Sequence, residues 1–425
     1  MAPAPLTLTI RLYKALTAIG APLALRAARR RFEATNGPMD RLTERKGQPS
    51  LARPDGPLIW MHAVSVGEFL SILDLVSDLV KRDASVLVTT TTTTAADIAA
   101  KRLPEGAFHQ FAPLDTPQAT RRFLDFWAPD LAIFVESEIW PNQILACETR
   151  GIPRSLINAR LSAKSVASWH KRPKTAQALF SRFDRIMCQT DSTRDALAAF
   201  VTENAALSTS GDMKAAAAPL PVDTAEAQTL GTDIGDRPVW VASSTHEGEE
   251  SIVSAAHGIV TSQAQDALLI LAPRHPERGD AIETQLRADG WNVARRSAGA
   301  SITPETQIYL ADTLGETGLW YHLSPIVLVA GSFAPVGGHN PYEPAHFDCA
   351  ILHGPLYANF AQAYGEMADC DAALEVEDAT ALGLSVAGLF NSPRLRTLQD
   401  NAHTYVTAAK NNRDNVVQTL LSLRT

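Results

Sequence analysis

A chain of 425 residues is too long for one compact core and suits two domains of ordinary size. Apolar residues at 45%, charged residues at 20%, 24 glycines and 26 prolines are average globular usage, which excludes collagen-like, fibrous and wholly disordered classes. A net charge of -8 argues against a general nucleic-acid binder, and four widely spaced cysteines (Cys147, Cys188, Cys349, Cys370) without a CxxC pair argue against a disulfide framework or structural zinc.

The N-terminus departs from that average. Residues 1–32 carry six cations (Arg11, Lys14, Arg26, Arg29, Arg30, Arg31) and no acid, interspersed with leucines and isoleucines. The apolar run at 15–25 is about 11 residues, short of the roughly 20 that a membrane crossing needs. Most cations follow the run rather than precede it, unlike a signal peptide. Two readings stand: a helix lying in an anionic leaflet, or a basic helix docked on the chain's own core.

Beyond residue 50 apolar runs alternate with helical patterns. Strands are expected at 58–64, 85–90, 131–135, 155–158 and 185–189, with a turn at 65–68 leading into a helix through Val80, and a second helix over 95–102 capped by Thr94. Residues 216–238 hold an alanine run, Pro219, Pro221 and weak periodicity, and read as a linker. The pattern restarts with strands at 239–242, 268–272, 291–295, 307–311, 326–330 and 350–353, and 392–423 reads as helical. The chain therefore divides into a basic segment (1–32), a first domain (33–215), a linker (216–238), a second domain (239–391) and C-terminal helices (392–425) packing back across the joint. Each domain is an α/β doubly wound parallel sheet, with ligands expected outside the carboxyl ends of the strands, in a cleft between domains.

The segments that carry chemistry fall at those strand ends. Ser65-Val66-Gly67-Glu68 places Gly67 in a tight turn and Glu68 in the first helical turn, as a general base or a helix-dipole carboxylate. Glu136-Ser137-Glu138-Ile139-Trp140-Pro141-Asn142 closes another strand; acids two apart in extended chain point oppositely, so one of Glu136 and Glu138 is expected to face the cleft. Ser244-Thr245-His246-Glu247 reads as a capping box opening a helix, hence an anion site. Arg274, beside His275, is a candidate phosphate clamp. In the run from Gly331 to Ala345, Gly337 and Gly338 permit close backbone approach to a ligand, His339 and Asn340 follow, and Glu343 can accept hydrogen bonds from ribose hydroxyls. No zinc-protease helix, P-loop or GxGxxG is present.

Together these segments resemble the 3-deoxy-D-manno-octulosonic acid (Kdo) transferases of lipopolysaccharide synthesis, over about residues 10–415. The carriers are His62-Ala63-Val64-Ser65-Val66-Gly67-Glu68, the Glu136–Asn142 run just quoted, Asn158-Ala159-Arg160-Leu161-Ser162, Gly211-Asp212-Met213-Lys214, Ser244 to Glu250, Ala272-Pro273-Arg274-His275 and Gly337 to Ala345. Gly211-Asp212-Met213-Lys214 departs from the family, which more usually has Asn and Leu in its middle. The resemblance implies a GT-B glycosyltransferase with two Rossmann-like domains, CMP-Kdo as donor, and a lipid A precursor (lipid IVA) as acceptor on the cytoplasmic face of the inner membrane. It implies Glu68 as base and Arg274 with Lys214 stabilising the departing CMP. Donor contacts would come from Ser244, Thr245, His246, Glu247, His275, Gly337, Gly338, His339, Asn340 and Glu343. Acceptor contacts would come from Ser65, Gly67, Glu136, Glu138, Trp140, Asn158 and Arg160. Inversion at the anomeric carbon, with no metal and no cofactor, completes the expectation. A GT-B enzyme using a UDP-sugar and a catalytically silent lipid-binding protein are the alternatives.

Overall fold

The computed structural model describes residues 5–201 and 207–424, in two compact units: Met1–Ala217 with Ala409–Thr425, and Ala218–Ala408. The first unit holds a seven-stranded parallel sheet of β1 (Leu58–His62), β2 (Ser85–Thr90), β3 (Ala107–Phe111), β4 (Leu131–Val135), β5 (Arg154–Ala159), β6 (Arg185–Cys188) and β7 (Leu207–Thr209). Their order is β3-β2-β1-β4-β5-β6-β7. Every residue of β1 is buried, as a central parallel strand covered on both faces requires. One face packs Ile59, Met61, Val86 and Ile133 against Phe69, Ile72, Leu75, Val76 and Leu79, the helical stripe of Val66–Val80. The other packs Trp60, Leu87 and Phe134 against Phe123, Trp127 and Phe180. Strand order reverses at β1, which lies between β2 and β4, so the carboxyl ends of β1 and β4 flank a switch point.

The second unit repeats the plan with β8 (Val239–Thr245), β9 (Leu268–Pro273), β10 (Val293–Arg295), β11 (Ile308–Leu310), β12 (Ile326–Val329), β13 (Ala350–His353) and β14 (Ala373–Glu375). The order β10-β11-β9-β8-β12-β13-β14 puts its switch point at the carboxyl ends of β8 and β12.

Several sequence expectations change. The presumed linker contains a helix, Thr224–Ile234, because Ala227, Leu230 and Ile234 form a buried stripe. Thr92, not Thr94, caps the helix Thr93–Arg102, accepting from the Ala95 amide at 3.2 Å. Strand β3 escapes the apolar reading because it buries His109 and Gln110. At the other end of the chain, helix Pro393–Ser422 runs through Ala408, and its last turns belong to the first unit. There Val416, Val417 and Leu420 join the core and Arg413 pairs with Asp78 at 3.0 Å and Asp74 at 3.6 Å.

The N-terminal helix, Leu8–Ala34, has two apolar faces, and its 27 residues are by length and composition enough to cross a membrane, which the short run at 15–25 understated. Ile10, Ala28 and Phe32 dock on the first unit, with Phe32 4.7 Å from the Phe111 ring. Tyr13 donates to Asp115 at 2.9 Å. Opposite them Leu8, Leu12, Leu16, Ile19 and Leu23, spaced by threes and fours, stand exposed, Ile19 at 80%.

Candidate functional site

In the first unit Glu68 follows β1 as the third residue of its helix. Ser65 caps that helix, accepting from the Glu68 amide at 3.3 Å, and the Glu68 carboxylate reaches back to the Val64 amide at 2.7 Å. The capping box thus fixes the side chain at the switch point. Burial pushes the Glu68 carboxyl up to about 7 against these hydrogen bonds, with Glu138 and Glu136 adding to the rise. Gly67 does not make the turn: it lies inside the helix, and an added Cβ would meet only Ser65 Oγ, at 4.0 Å.

Glu136 and Glu138 both face Glu68 electrostatically, contrary to the alternation expected of extended chain. β4 ends at Val135, Glu136 has φ +57°, and the Glu138 amide turns back to the Val135 carbonyl. Burial raises both carboxyls. Trp140 donates to Glu138 at 2.5 Å, and Lys214 lies 3.8 Å from Glu136. Asn158, at φ +51°, accepts from the Met213 amide at 3.1 Å, which ties the Gly211–Lys214 turn to the end of β5. Arg160 acts on Glu136 through its charge, and its carbonyl accepts from Ser137 Oγ.

The second unit carries a cavity of about 380 Å³ lined by Ser244, Arg274, His339, Asn340 and Glu343, all anticipated, and by residues the sequence reading missed: Pro221, Thr317, Gly318 and Tyr321 among them. Pro221 was hidden in the supposed linker. Gly315-Glu316-Thr317-Gly318, a glycine pair between strand and helix, was the available signal. Arg274 stands exposed at the end of β9, its charge felt by Glu343, whose carboxyl burial raises, and by His339. His246 and His339 stack at 5.1 Å with their Nε2 atoms 2.8 Å apart, so one nitrogen donates and the other accepts. Burial lowers both, His339 to about 4. His275 packs edge-on to His246 at 5.7 Å.

The Ser244–Glu247 capping box does not form. Ser244 sits at φ +62° where the β8–β9 register shifts, Thr245 is buried and donates to Glu250, Glu247 is exposed, and the helix begins only at Glu249. Two glutamates occupy its first turn, which disfavours an anion there. The buried Glu249 carboxylate instead accepts from the amides of His246, Gly331 and Phe333 at 2.8–2.9 Å. Gly337 and Gly338, at φ +96° and +79°, admit the chain's own residues rather than line this cavity. A Cβ would fall 2.7 Å from Asn359 Nδ2 at the first and 3.0 Å from Tyr357 Cα at the second.

Two doubly wound parallel sheets, each with its polar groups at the switch point, define a glycosyltransferase fold of the GT-B type. The architecture matches UDP-GlcNAc 2-epimerase from Neisseria meningitidis with a TM-score of 0.56 at 14% identity, covering 86% of this chain and 100% of that one. Residues 40–217 match the family described as 3-deoxy-D-manno-octulosonic-acid transferase (kdotransferase). The chain is 36% identical over 387 residues to the probable mitochondrial 3-deoxy-D-manno-octulosonic acid transferase of Arabidopsis thaliana, covering 89% of this chain and 86% of that protein. It is 34% identical to the enzyme of that name from Haemophilus influenzae, covering 85% and 86%. The chain belongs to the Kdo transferase family.

Proposed function

We propose that the protein transfers Kdo from CMP-Kdo to a sugar hydroxyl of a lipid A precursor, with inversion, at the cytoplasmic face of the inner membrane. The observation that carries the reading is Glu68, a carboxyl fixed at the end of β1 with its proton affinity near neutrality. It takes the proton of the acceptor hydroxyl, whose oxygen attacks the anomeric carbon as CMP departs. Glu136, Glu138, Trp140, Asn158 and Arg160 hold the acceptor sugar. Arg274 receives the phosphate of CMP, and His246 and His339 supply polar contacts beside it, while Lys214 in the first unit holds its charge beside Glu136. Glu343 and Asn340 hold the ribose. The exposed leucine row of the N-terminal helix, with the cations around it, seats the enzyme on an anionic leaflet.

Incubation with CMP-Kdo and a lipid A precursor, followed by mass spectrometry of the lipid, tests this. A product heavier by one or more Kdo residues is the expected result. Transfer from a UDP-sugar, with UDP bound in preference to CMP, would replace the reading.

A further inference from the structure

One wall of the cavity assigned above to the donor is made by two segments far apart in sequence, Leu220-Pro221 and the run from Gly315 to Gly318. Both lie in the second unit, and one side chain outside the cavity lining joins them. Arg296, just past β10, donates from Nε to one carboxylate oxygen of Glu316 at 3.1 Å and from Nη2 to the other at 2.6 Å. Its Nη1 donates to Glu226, in the helix Thr224–Ile234 that follows Pro221. We propose that Arg296 is a positioning residue for the donor nucleotide, a clamp that sets the spacing of the two wall segments from behind. The proposal rests on the donor assignment.

Geometry is the first argument. A guanidinium presents its donors in a fixed plane, so a bidentate pair with Glu316 fixes where Nη1 meets Glu226. The root of the side chain is itself fixed, because the Arg296 amide donates to the Leu310 carbonyl at 2.9 Å. Its guanidinium carbon lies 5.8 Å from the centre of the Trp320 ring, a buried neighbour of Tyr321, which lines the cavity. Glu316 also accepts from Thr313 Oγ1, and the hydrogen bonds from Arg296 hold its carboxyl below the ordinary range. Isolated surface pairs contribute little, but these three charged side chains are only 21–31% exposed and share one bidentate arrangement.

The second argument is how little else holds the wall. Gly318 marks the approach: a Cβ there would lie 2.6 Å from the Pro221 carbonyl oxygen and 2.9 Å from Leu220 Cβ. Yet among the described residues no hydrogen bond joins Leu220-Pro221 to Gly315–Gly318. Pro221 has no N–H to offer, and Gly315 turns the chain at φ +85°. Contact at Gly318 and the two carboxylates on Arg296 therefore set the width of the cavity on this side. A nucleotide entering between that wall and Arg274, His339 and Glu343 binds more tightly when the wall is already in place, since ordering a loop on binding costs affinity.

The neighbouring arginine supplies the control. Arg295 pairs with Asp312 at 2.6 Å and Asp280 at 2.5 Å, and none of these residues lines the cavity. Adjacent guanidiniums thus serve separate networks, only one of which reaches the donor wall.

Calorimetric titration of the full chain with CMP, beside initial rates with CMP-Kdo and a lipid A precursor, tests the clamp. Arg296→Ala should weaken CMP binding at least about tenfold and raise the KM for CMP-Kdo in step, with kcat held within about twofold, because the wall serves ground and transition states alike. Arg295→Ala should lower the melting temperature and leave CMP affinity near wild type. Should Arg296→Ala not fold, Glu226→Gln removes one arm of the clamp from a partly exposed helix position, and a smaller loss of CMP affinity is expected. Wild-type CMP affinity in the folded variant, an equal loss in Arg295→Ala, or a fall in kcat at unchanged KM would overturn the proposal. Kdo transfer by a wild type whose CMP affinity is indifferent to Arg296 would leave the functional reading standing and remove the clamp. A wild type that binds UDP in preference to CMP would sink the donor reading instead, and the same comparison made with UDP would then decide the clamp.

Discussion

Glu68 sits where its proton is exchangeable near pH 7, and that has consequences for rate and stability of opposite sign. As a base it works deprotonated, so kcat/KM should fall about tenfold per pH unit below the raised value, with an acid limb near pH 7. A flat profile between pH 5 and 8 under chemistry-limited conditions would remove it from that role. Folding should respond inversely. A carboxyl whose folded value is raised stabilises least when ionised, so its penalty grows as pH climbs from about 4.5 to about 7, reaching at most about 3 kcal/mol. Glu68→Gln retains an acceptor for the Val64 amide and removes that penalty. Turnover should drop by about 10²–10⁴ while the melting temperature at pH 8 holds or rises. Substantial turnover in this variant would end the assignment, and a melting temperature lowered at pH 8 would show that the carboxylate is there for structure. Arg274 makes a separate prediction, because phosphate charge exists in ground and transition states alike. Arg274→Ala should weaken CMP binding by about 1.5–3 kcal/mol, read by calorimetry, and unchanged affinity would place the guanidinium outside the donor site. Glu136, Asn158 and Ser244 share a further mark. Each holds a left-handed backbone at a strand's carboxyl end, a strain of order 1 kcal/mol or more that structure alone has little reason to keep.

At the scale of elements, Glu249 organises the strand ends of the second unit. Three amides from two different strand ends, that of Gly331 buried and those of His246 and Phe333 half-buried, converge on its two oxygens. Glutamine offers one oxygen and an NH2 group that cannot accept, so Glu249→Gln leaves at least one donor facing a donor. A cost of about 1–3 kcal/mol in unfolding follows, with CMP affinity reduced because the Gly331–Phe333 loop positions His339. Thermal unfolding and CMP titration together check this; a variant with wild-type stability would mean the loop is held elsewhere. The sequence could not point to Glu249, because Ser244 and Glu247 match the capping pattern better in one dimension. Only the register shift after Ser243 delays the helix to Glu249. Central strands such as β2 and β13 were legible from apolar runs alone, since both faces are covered. Edge strand β3 was not, because it buries His109 against Thr90 and Arg41, partners distant in sequence. The acids of the first unit were legible as candidates, yet their mutual arrangement was not, since a single residue with positive φ at Glu136 cancels the alternation of a strand.

For the whole molecule, the proposed membrane seat rests on the N-terminal helix. Sequence composition left two readings, leaflet helix or docked helix, and the helix itself has one face for each. Removing residues 1–32 would strip cover from Phe111 and from a cavity beneath Ala24 and Ala28, so loss of membrane binding in such a truncation would be ambiguous. Changing the outer row alone separates the two faces. Leu12, Leu16 and Ile19 are exposed, so their replacement by glutamine should leave the docked side, the melting temperature and CMP affinity near wild type. Each buried leucine-sized side chain is worth about 1.5–3 kcal/mol on insertion, and each cation beside an anionic leaflet about 1 kcal/mol. The triple glutamine variant should therefore lose most co-sedimentation with anionic liposomes even at low salt. Reversing Arg26, Arg29 and Arg30, which are exposed and outside the cavity lining, should instead produce a loss that raised salt imitates in the wild type. Transfer to acceptor dispersed in detergent should survive both changes better than transfer to acceptor in vesicles, since only the second requires the enzyme to find its substrate within a surface. Undiminished sedimentation of the triple variant would mean that the leucine row does not enter the bilayer, and that the membrane contact lies on another face.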